Sequence, residues 1–158
     1  MGLLLRDTAR FLAEFSMKSM SEADVNCVLL ADPHHGVSEA IHGLLATAFE
    51  AVVRVADEVS LFESARRLQS DLTVVDLALA RGNGLELVRR LRSRFPEMRL
   101  IVVSLHDQSS VSRSVLDAGA NGFVARRALA TDLLAAADAV LAGQRYVSPE
   151  VAKHRDLP

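Results

Sequence analysis

The sequence predicts an α/β domain built on a doubly wound, five-stranded parallel sheet with helices on both faces. The chain has 158 residues, which suits one domain with a sizeable core. Short apolar runs without strict polar alternation are typical of strands that are buried on both faces. Stretches with helical periodicity fill the gaps between these runs, and short strand–helix connections imply right-handed crossovers. Half of the residues are hydrophobic but only 4% are aromatic, so aliphatic side chains must form the core.

The predicted elements alternate regularly from residue 25 onward. The predicted strands are residues 26–31, 51–55, 72–75, 100–103 and 122–125. Apolar residues at helical spacing predict helices within residues 37–48, 61–68, 85–95, 111–118 and 129–140. Pro96 is expected to end the third helix, while Gly119 and Gly143 suit the positions that follow the fourth and fifth helices.

The two ends of the chain are predicted to lie outside this domain. Residues 1–24 are interpreted as an N-terminal extension that is either helical or poorly ordered, because residues 3–19 have a weakly amphipathic pattern. A docking or dimerising helix, a frayed tail and translated sequence upstream of the true start are the alternatives, and a dispensable segment is favoured. The domain itself is assigned to residues 25–145. Residues 146–158 are assigned to a C-terminal tail, with no DNA-binding domain.

Composition and charge disfavour several classes of partner. A net charge of −2 provides no broad attraction to nucleic acid or to an acidic membrane surface. No apolar run approaches the roughly 20 residues that a membrane-spanning helix needs. The single cysteine, Cys27, excludes an internal disulfide and lies in an apolar run, where a buried and unreactive thiol is expected. We therefore expect a cytoplasmic location, with no membrane contact and no direct binding of nucleic acid.

Four chemically useful side chains follow the predicted strands. Asp32 follows the first strand, Asp76 the third, Ser104 the fourth and Arg126 the fifth. Ligands of doubly wound sheets bind beyond the carboxyl ends of the strands. Each residue alone is weak evidence, but their joint placement predicts one crevice that holds two carboxylates, a hydroxyl and a cation.

Together with the surrounding motifs, these residues resemble the receiver domain of two-component response regulators. The resemblance covers about residues 25–148 and is closest to the branch that usually carries a C-terminal helix-turn-helix, which is absent here. The motifs that carry it are Asp76-Leu77, Gly82-Asn83-Gly84-Leu85-Glu86-Leu87, Phe95-Pro96, Ser104-Leu105-His106-Asp107, Ala118-Gly119-Ala120-Asn121-Gly122-Phe123-Val124 and Gly143-Gln144-Arg145-Tyr146-Val147-Ser148-Pro149-Glu150.

The resemblance implies a flavodoxin-like strand order of 2-1-3-4-5 and a role in phosphorelay signal transduction. It implies that a histidine kinase or phosphotransfer protein donates a phosphoryl group, and that an output protein or a second copy in a homodimer responds. The implied roles are Asp76 as phosphoacceptor, Asp32, Asp76 and the backbone carbonyl of Ala78 as ligands of Mg²⁺, Ser104 and Phe123 as switch residues, and Arg126 as the cation of the site.

The sequence departs from the family pattern at three positions in or near this site. Pro33 replaces a second acid, which removes a carboxylate and a backbone donor, so Mg²⁺ is expected to bind weakly. Arg126 replaces a lysine, and its planar fork either bridges Asp76 in the resting state or clamps the phosphoryl group. Ala80 replaces a proline in the loop after the third strand.

Two other charged groups are interpreted as structural. Structural roles are favoured over metal binding for three of the five histidines, His34, His35 and His106. A solvated helix face is favoured over a nucleic-acid surface for one run of arginines, because helical spacing spreads its members around the surface; they are Arg89, Arg90, Arg92, Arg94 and Arg99.

The primary functional hypothesis is a stand-alone receiver that acts as a signalling switch and is not an enzyme. The alternative is a pseudo-receiver, a protein-interaction module that works without phosphorylation, and Pro33 and Arg126 favour it. A flavodoxin-like or hydrolase-like enzyme is disfavoured, because the sequence lacks a Gly-rich phosphate loop and a Gly-x-Ser-x-Gly elbow.

Overall fold

The structure, a computed structural model, describes residues 26–153, without the side chains of residues 152 and 153. The predicted N-terminal extension, residues 1–24, lies outside the described residues. Six parallel strands form one sheet in the order β2-β1-β3-β4-β5-β6. Their bounds are β1 Cys27–Ala31, β2 Ala51–Val55, β3 Leu72–Asp76, β4 Leu100–Ser104, β5 Gly122–Ala125 and β6 Tyr146–Val147.

Helices cover both faces of the sheet, as predicted. The helices are α1 His35–Ala46, α2 Glu58–Arg67, α3 Gly84–Arg94, α4 Ser109–Ala118, α5 Leu129–Leu141 and α6 Pro149–Lys153. Short 3₁₀ turns, Leu77–Leu79 and Arg126–Ala128, follow β3 and β5 directly. The aspartate and the arginine of the predicted site therefore lie where the chain leaves the sheet.

The core is split by the sheet into two layers. Apolar residues of α1 and α5 pack against one face, and apolar residues of α2, α3 and α4 pack against the other. Successive residues of β1 alternate between the layers, since Leu29 belongs to one and Leu30 to the other, and both are completely buried. This two-sided burial explains why the strands read as continuous apolar runs.

The predicted count of five strands is wrong, because a sixth strand extends the sheet. Gly143 has a φ of 83° and turns the chain after α5. Tyr146 and Val147 then pair in parallel with Gly122 and Phe123 of β5. These residues, assigned above to the tail, thus continue the sheet, and the order 2-1-3-4-5 is retained with β6 added at its edge.

Arg92 corrects the prediction that the arginines of α3 form only a solvated face. Its guanidinium donates to the carbonyls of Gly119 at 2.8 and 2.9 Å and of Pro96 at 2.7 Å. It also donates to the side chain of Asn121 at 2.8 Å. Burial lowers the pKa of Arg92 from its ordinary value. The arginine therefore ties α3 to the turn that follows α4.

Gly119 allows this close contact. Its φ is 127°, a backbone conformation that residues with a side chain rarely adopt, and a Cβ atom there would lie 2.8 Å from two carbons of Arg92.

Within the described part of the chain, no helix has the length and apolar character that crossing a membrane requires.

Candidate functional site at the carboxyl edge of the sheet

The carboxyl ends of the strands open into one cleft of about 580 Å³. Asp76, Ser104 and Arg126 line it together with His34 and Ala78. The opposite wall is formed by the start of α3 and one side of α4. Of the four side chains predicted to share one crevice, Asp76, Ser104 and Arg126 line this cleft, and Asp32 does not.

Asp76 is the most enclosed acidic side chain of the cleft, with 1% of its surface exposed. Its Oδ1 accepts a hydrogen bond from the backbone N–H of Ala78 at 2.8 Å, which caps the 3₁₀ turn after β3. Its Oδ2 accepts two hydrogen bonds from Arg126, from Nε at 3.1 Å and from Nη2 at 2.5 Å. In this arrangement the guanidinium of Arg126 is the counter-ion of the buried Asp76 carboxylate.

Asp32 lies beside Asp76, where β1 ends, and 2% of it is exposed. Its Oδ1 accepts the backbone N–H of His34 at 2.7 Å. Burial raises the pKa of Asp32, the His34 N–H opposes that shift, and the negative charge of Asp76 adds to it. The other oxygen, Oδ2, is buried without a hydrogen-bond partner in the described part of the chain. A buried carboxylate oxygen of this kind is suited to bind a cation.

The residues of the pocket fit a divalent cation, though with a changed donor set. One ligand atom each from Asp32, His34 and Asp76 lie within 4.8 Å of one another. Pro33 is exposed and contributes no carboxylate. His34 is half-exposed, and its Nδ1 lies 3.3 Å from Asp32 Oδ1. The position that the sequence analysis assigned to a structural histidine is therefore next to the acidic pair.

Ser104 and Phe123 occupy neighbouring strands. Ser104 is buried, and its Oγ accepts the backbone N–H of His106 at 3.0 Å, which leaves the hydroxyl proton available to another acceptor. Phe123 is completely buried in the layer that α4 covers, so it contributes to the core and does not line the cleft.

Sequence reasoning missed the contacts that Arg127 makes next to this site. Arg127 pairs with Asp107, from the loop after β4, and with Glu150 of α6. These two contacts raise the pKa of Arg127, with Asp107 contributing most. Asp107 therefore has a cationic partner outside the acidic pair, and the loop beside Ser104 is linked to the C-terminal helix.

Ser148 makes a second, buried link between the C-terminal segment and β5. Its Oγ accepts the backbone N–H of Ala125 at 3.1 Å, and its own N–H donates to the carbonyl of Phe123 at 3.0 Å. The motif that contains Ser148 was visible in the sequence. Its position at the sheet edge was not.

Comparisons with known proteins agree with this geometry. The family model described as "Response regulator receiver domain" matches residues 28–138. Curated relatives include the transcriptional regulatory protein DegU of Brevibacillus brevis, which is 29% identical over 78% of this chain and 53% of its own length. The response regulator GacA of Pseudomonas viridiflava is 29% identical over 82% of this chain and 62% of its own length. The chain thus spans 53% to 62% of the length of these relatives.

Solved structures show the same fold. A LuxR-family two-component response regulator from Aurantimonas sp. SI85-9A1 has a TM-score of 0.76 and 28% identity, over 83% of this chain and 95% of that one. The isolated receiver domain of RcsB from Salmonella enterica serovar Typhimurium, in the apo form, has a TM-score of 0.74 and 25% identity, over 84% and 99%. The chain therefore belongs to the response regulator receiver domain family of two-component signalling proteins.

Proposed function

We propose that Asp76 accepts a phosphoryl group from a phosphohistidine of a kinase or phosphotransfer protein. The observation that carries this proposal is the placement of Asp76: a buried carboxylate at the floor of an open cleft, with a second acid beside it and a cation against it. In the proposed step, a carboxylate oxygen of Asp76 attacks phosphorus. The bond between phosphorus and the donor imidazole breaks, and its electron pair leaves with the imidazole nitrogen.

The protein's own residues prepare this step. The N–H of Ala78 orients the carboxylate of Asp76, and Ser104 can donate its hydroxyl proton to a phosphoryl oxygen. A divalent cation held by Asp32, Asp76 and the carbonyl of Ala78 would offset the charge that gathers on the phosphoryl oxygens.

Arg126 sets the resting state in this proposal. Both of its hydrogen bonds to Asp76 reach Oδ2, so the guanidinium occupies one side of the nucleophile before any donor arrives. Phosphorylation requires the fork to move from the carboxylate to the phosphoryl oxygens, where a planar guanidinium binds well. Arg126 thereby slows loading in the resting state and stabilises the loaded state.

The altered charge of the site would then change contacts with an output protein or with a second copy of the chain. Ser104 and Phe123 are the proposed switch residues, and Phe123 already holds a buried position in the structure. Leu105 follows Ser104 at the rim of the cleft and is 66% exposed, which makes it a suitable contact for a partner.

The test is intact-protein mass after incubation with acetyl phosphate or phosphoramidate and Mg²⁺. We expect one added phosphoryl group, which Asp76→Asn abolishes and which Asp117→Asn, on the exposed side of α4, leaves unchanged. Arg126→Lys should load faster, because a point ammonium holds the carboxylate less firmly than the fork. If no mass is added even at high Mg²⁺, the proposal fails and a phosphorylation-independent interaction module is favoured instead.

A further inference from the structure

We propose that the pocket between β1 and β3 binds a late first-row divalent metal ion through an imidazole nitrogen of His34, and that it selects such an ion over Mg²⁺. The proposal concerns the cation of the site described above, and it can be tested without any phosphodonor. The donors are one atom each of Asp32, His34 and Asp76, which lie within 4.8 Å of one another.

Asp32 accepts hydrogen bonds from described residues at one of its two carboxylate oxygens. The backbone N–H of His34 and the Nδ1 atom of the same residue both approach Oδ1, at 2.7 and 3.3 Å. Nothing in the described chain donates to Oδ2, although that oxygen is buried. The turn after β1 is therefore explained by hydrogen bonding at Oδ1 alone, and the buried Oδ2 is positioned to bind a cation.

The charge of the pocket is low for a magnesium site. Two carboxylates form the pocket, and the guanidinium of Arg126 already pairs with Asp76 at 2.5 Å. Only one negative charge then remains uncompensated, and Pro33 adds none. Mg²⁺ depends on several hard, anionic oxygen ligands and dehydrates reluctantly, so this pocket attracts it poorly.

The third donor of the pocket, His34, offers an imidazole nitrogen. Imidazole suits zinc, iron, nickel and copper, whereas magnesium prefers carboxylate, carbonyl and water oxygens. His34 is half-exposed, so its ring can adjust to a metal ion at little cost in packing. The exchange of a carboxylate for a proline beside a histidine therefore moves the preference of the pocket from Mg²⁺ towards ions such as Co²⁺ and Zn²⁺.

The experiment uses Co²⁺ and Mg²⁺ separately, with the full chain and no phosphodonor. Affinities are measured by calorimetric titration, and proton NMR of the Co²⁺ form reports the paramagnetically shifted resonances of a coordinated imidazole. We expect Co²⁺ to bind at least about tenfold more tightly than Mg²⁺. His34→Ala should weaken Co²⁺ by roughly 10–100-fold, remove the shifted imidazole resonances and leave Mg²⁺ affinity nearly unchanged.

The matched control is His35→Ala, which removes the adjacent exposed imidazole that does not belong to the cluster. It should change neither affinity. Equal affinity for the two ions in the unsubstituted chain would overturn the proposal, as would Co²⁺ binding that survives His34→Ala. Because no phosphoryl transfer is measured, these outcomes are independent of whether Asp76 is phosphorylated.

Discussion

Polar residues have opposite roles at the two ends of the strands, which we call the amino edge and the carboxyl edge of the sheet. At the amino edge, Asp71 accepts the backbone N–H of Cys27 at 2.8 Å, and Asn121 accepts the backbone N–H of Leu100 at 2.8 Å. At the carboxyl edge, Asp76 and Arg126 are paired with each other, and one oxygen of Asp32 has no partner in the described chain. Polar side chains at the amino edge satisfy backbone N–H groups, whereas those at the carboxyl edge place charged groups where a ligand can reach them.

This difference predicts opposite signs for the effects of substitution. Removing a polar side chain from the amino edge leaves a backbone or guanidinium donor unsatisfied, which costs stability. At the carboxyl edge, removing the charge of Asp32 relieves its repulsion with Asp76 and its desolvation, which should stabilise the fold at the expense of function.

Asn121→Ala should destabilise the protein most. The Oδ1 atom of Asn121 accepts from the N–H of Leu100 and from the guanidinium of Arg92, both at 2.8 Å. Losing both bonds should lower the free energy of unfolding by about 2–3 kcal/mol, since one of the donors is charged. Urea denaturation measures the change. Gln69→Ala, an exposed amide in the loop before β3, is the control, and an equal loss there would refute the distinction between the sites.

Cys27 should make stability fall at alkaline pH. Burial, helped by the charge of Asp71, raises the pKa of this thiol from 9.0 to about 11. The unfolded chain therefore ionises first, so the contribution of Cys27 is intact below pH 9.0 and is lost as pH rises towards 11. The measurement is the difference in unfolding free energy between the unsubstituted chain and Cys27→Ala across this range. A difference that stays constant with pH would contradict the assignment.

Asp32→Asn should stabilise the protein by about 1 kcal/mol in the presence of a chelator. The substitution removes a buried charge that lies beside Asp76, while the amide oxygen can still accept the N–H of His34. Thermal and urea denaturation report the gain, and Asp117→Asn on the surface of α4 is the matched control. A loss of stability would mean that the charge of Asp32 is satisfied in the folded protein.

Arg127→Ala should have the smallest effect on stability. Its partners, Asp107 and Glu150, form ion pairs at the surface, and such pairs contribute little and are screened by salt. The unfolding midpoint should stay within experimental error in moderate salt. Val151→Ala tests the same C-terminal helix through its completely buried side chain and should lower the midpoint. If the arginine variant were the less stable of the two, ion pairing would be the main anchor of α6.

The sequence was most informative where one physical pattern determines an element. β1, β3, β4 and β5 are buried at every position and are mostly apolar, and the five predicted strands agree with β1 to β5 to within a residue. Gly119 and Gly143 both have positive φ, as their places after helices predicted. The gathering of Asp76, Ser104 and Arg126 followed from strand topology alone, because parallel strands end at the same edge.

Other features depend on contacts that no local pattern encodes. β6 has only two residues, too few for a strand pattern, and its pairing depends on the turn at Gly143. In the sequence, Arg92 cannot be told from the neighbouring arginines of α3. Two of its partners, Gly119 and Asn121, lie after α4. The position of His34 beside Asp32 depends on a turn in which the Asp32 side chain accepts a backbone N–H. The sequence alone left two roles open for the Arg126 guanidinium, which either bridges Asp76 in the resting state or clamps the phosphoryl group.

The short C-terminal strand also decides how this molecule can be approached by other chains. β6 pairs with the first two residues of β5. Beyond β6, where a longer strand would continue, the hydroxyl oxygen of Ser148 accepts a hydrogen bond from the backbone N–H of Ala125. An extended peptide therefore finds no row of vacant backbone donors along β5, and adding a strand there would first require the displacement of β6. Along the described chain β2 pairs only with β1, so its outer side is the edge where another chain could add a strand.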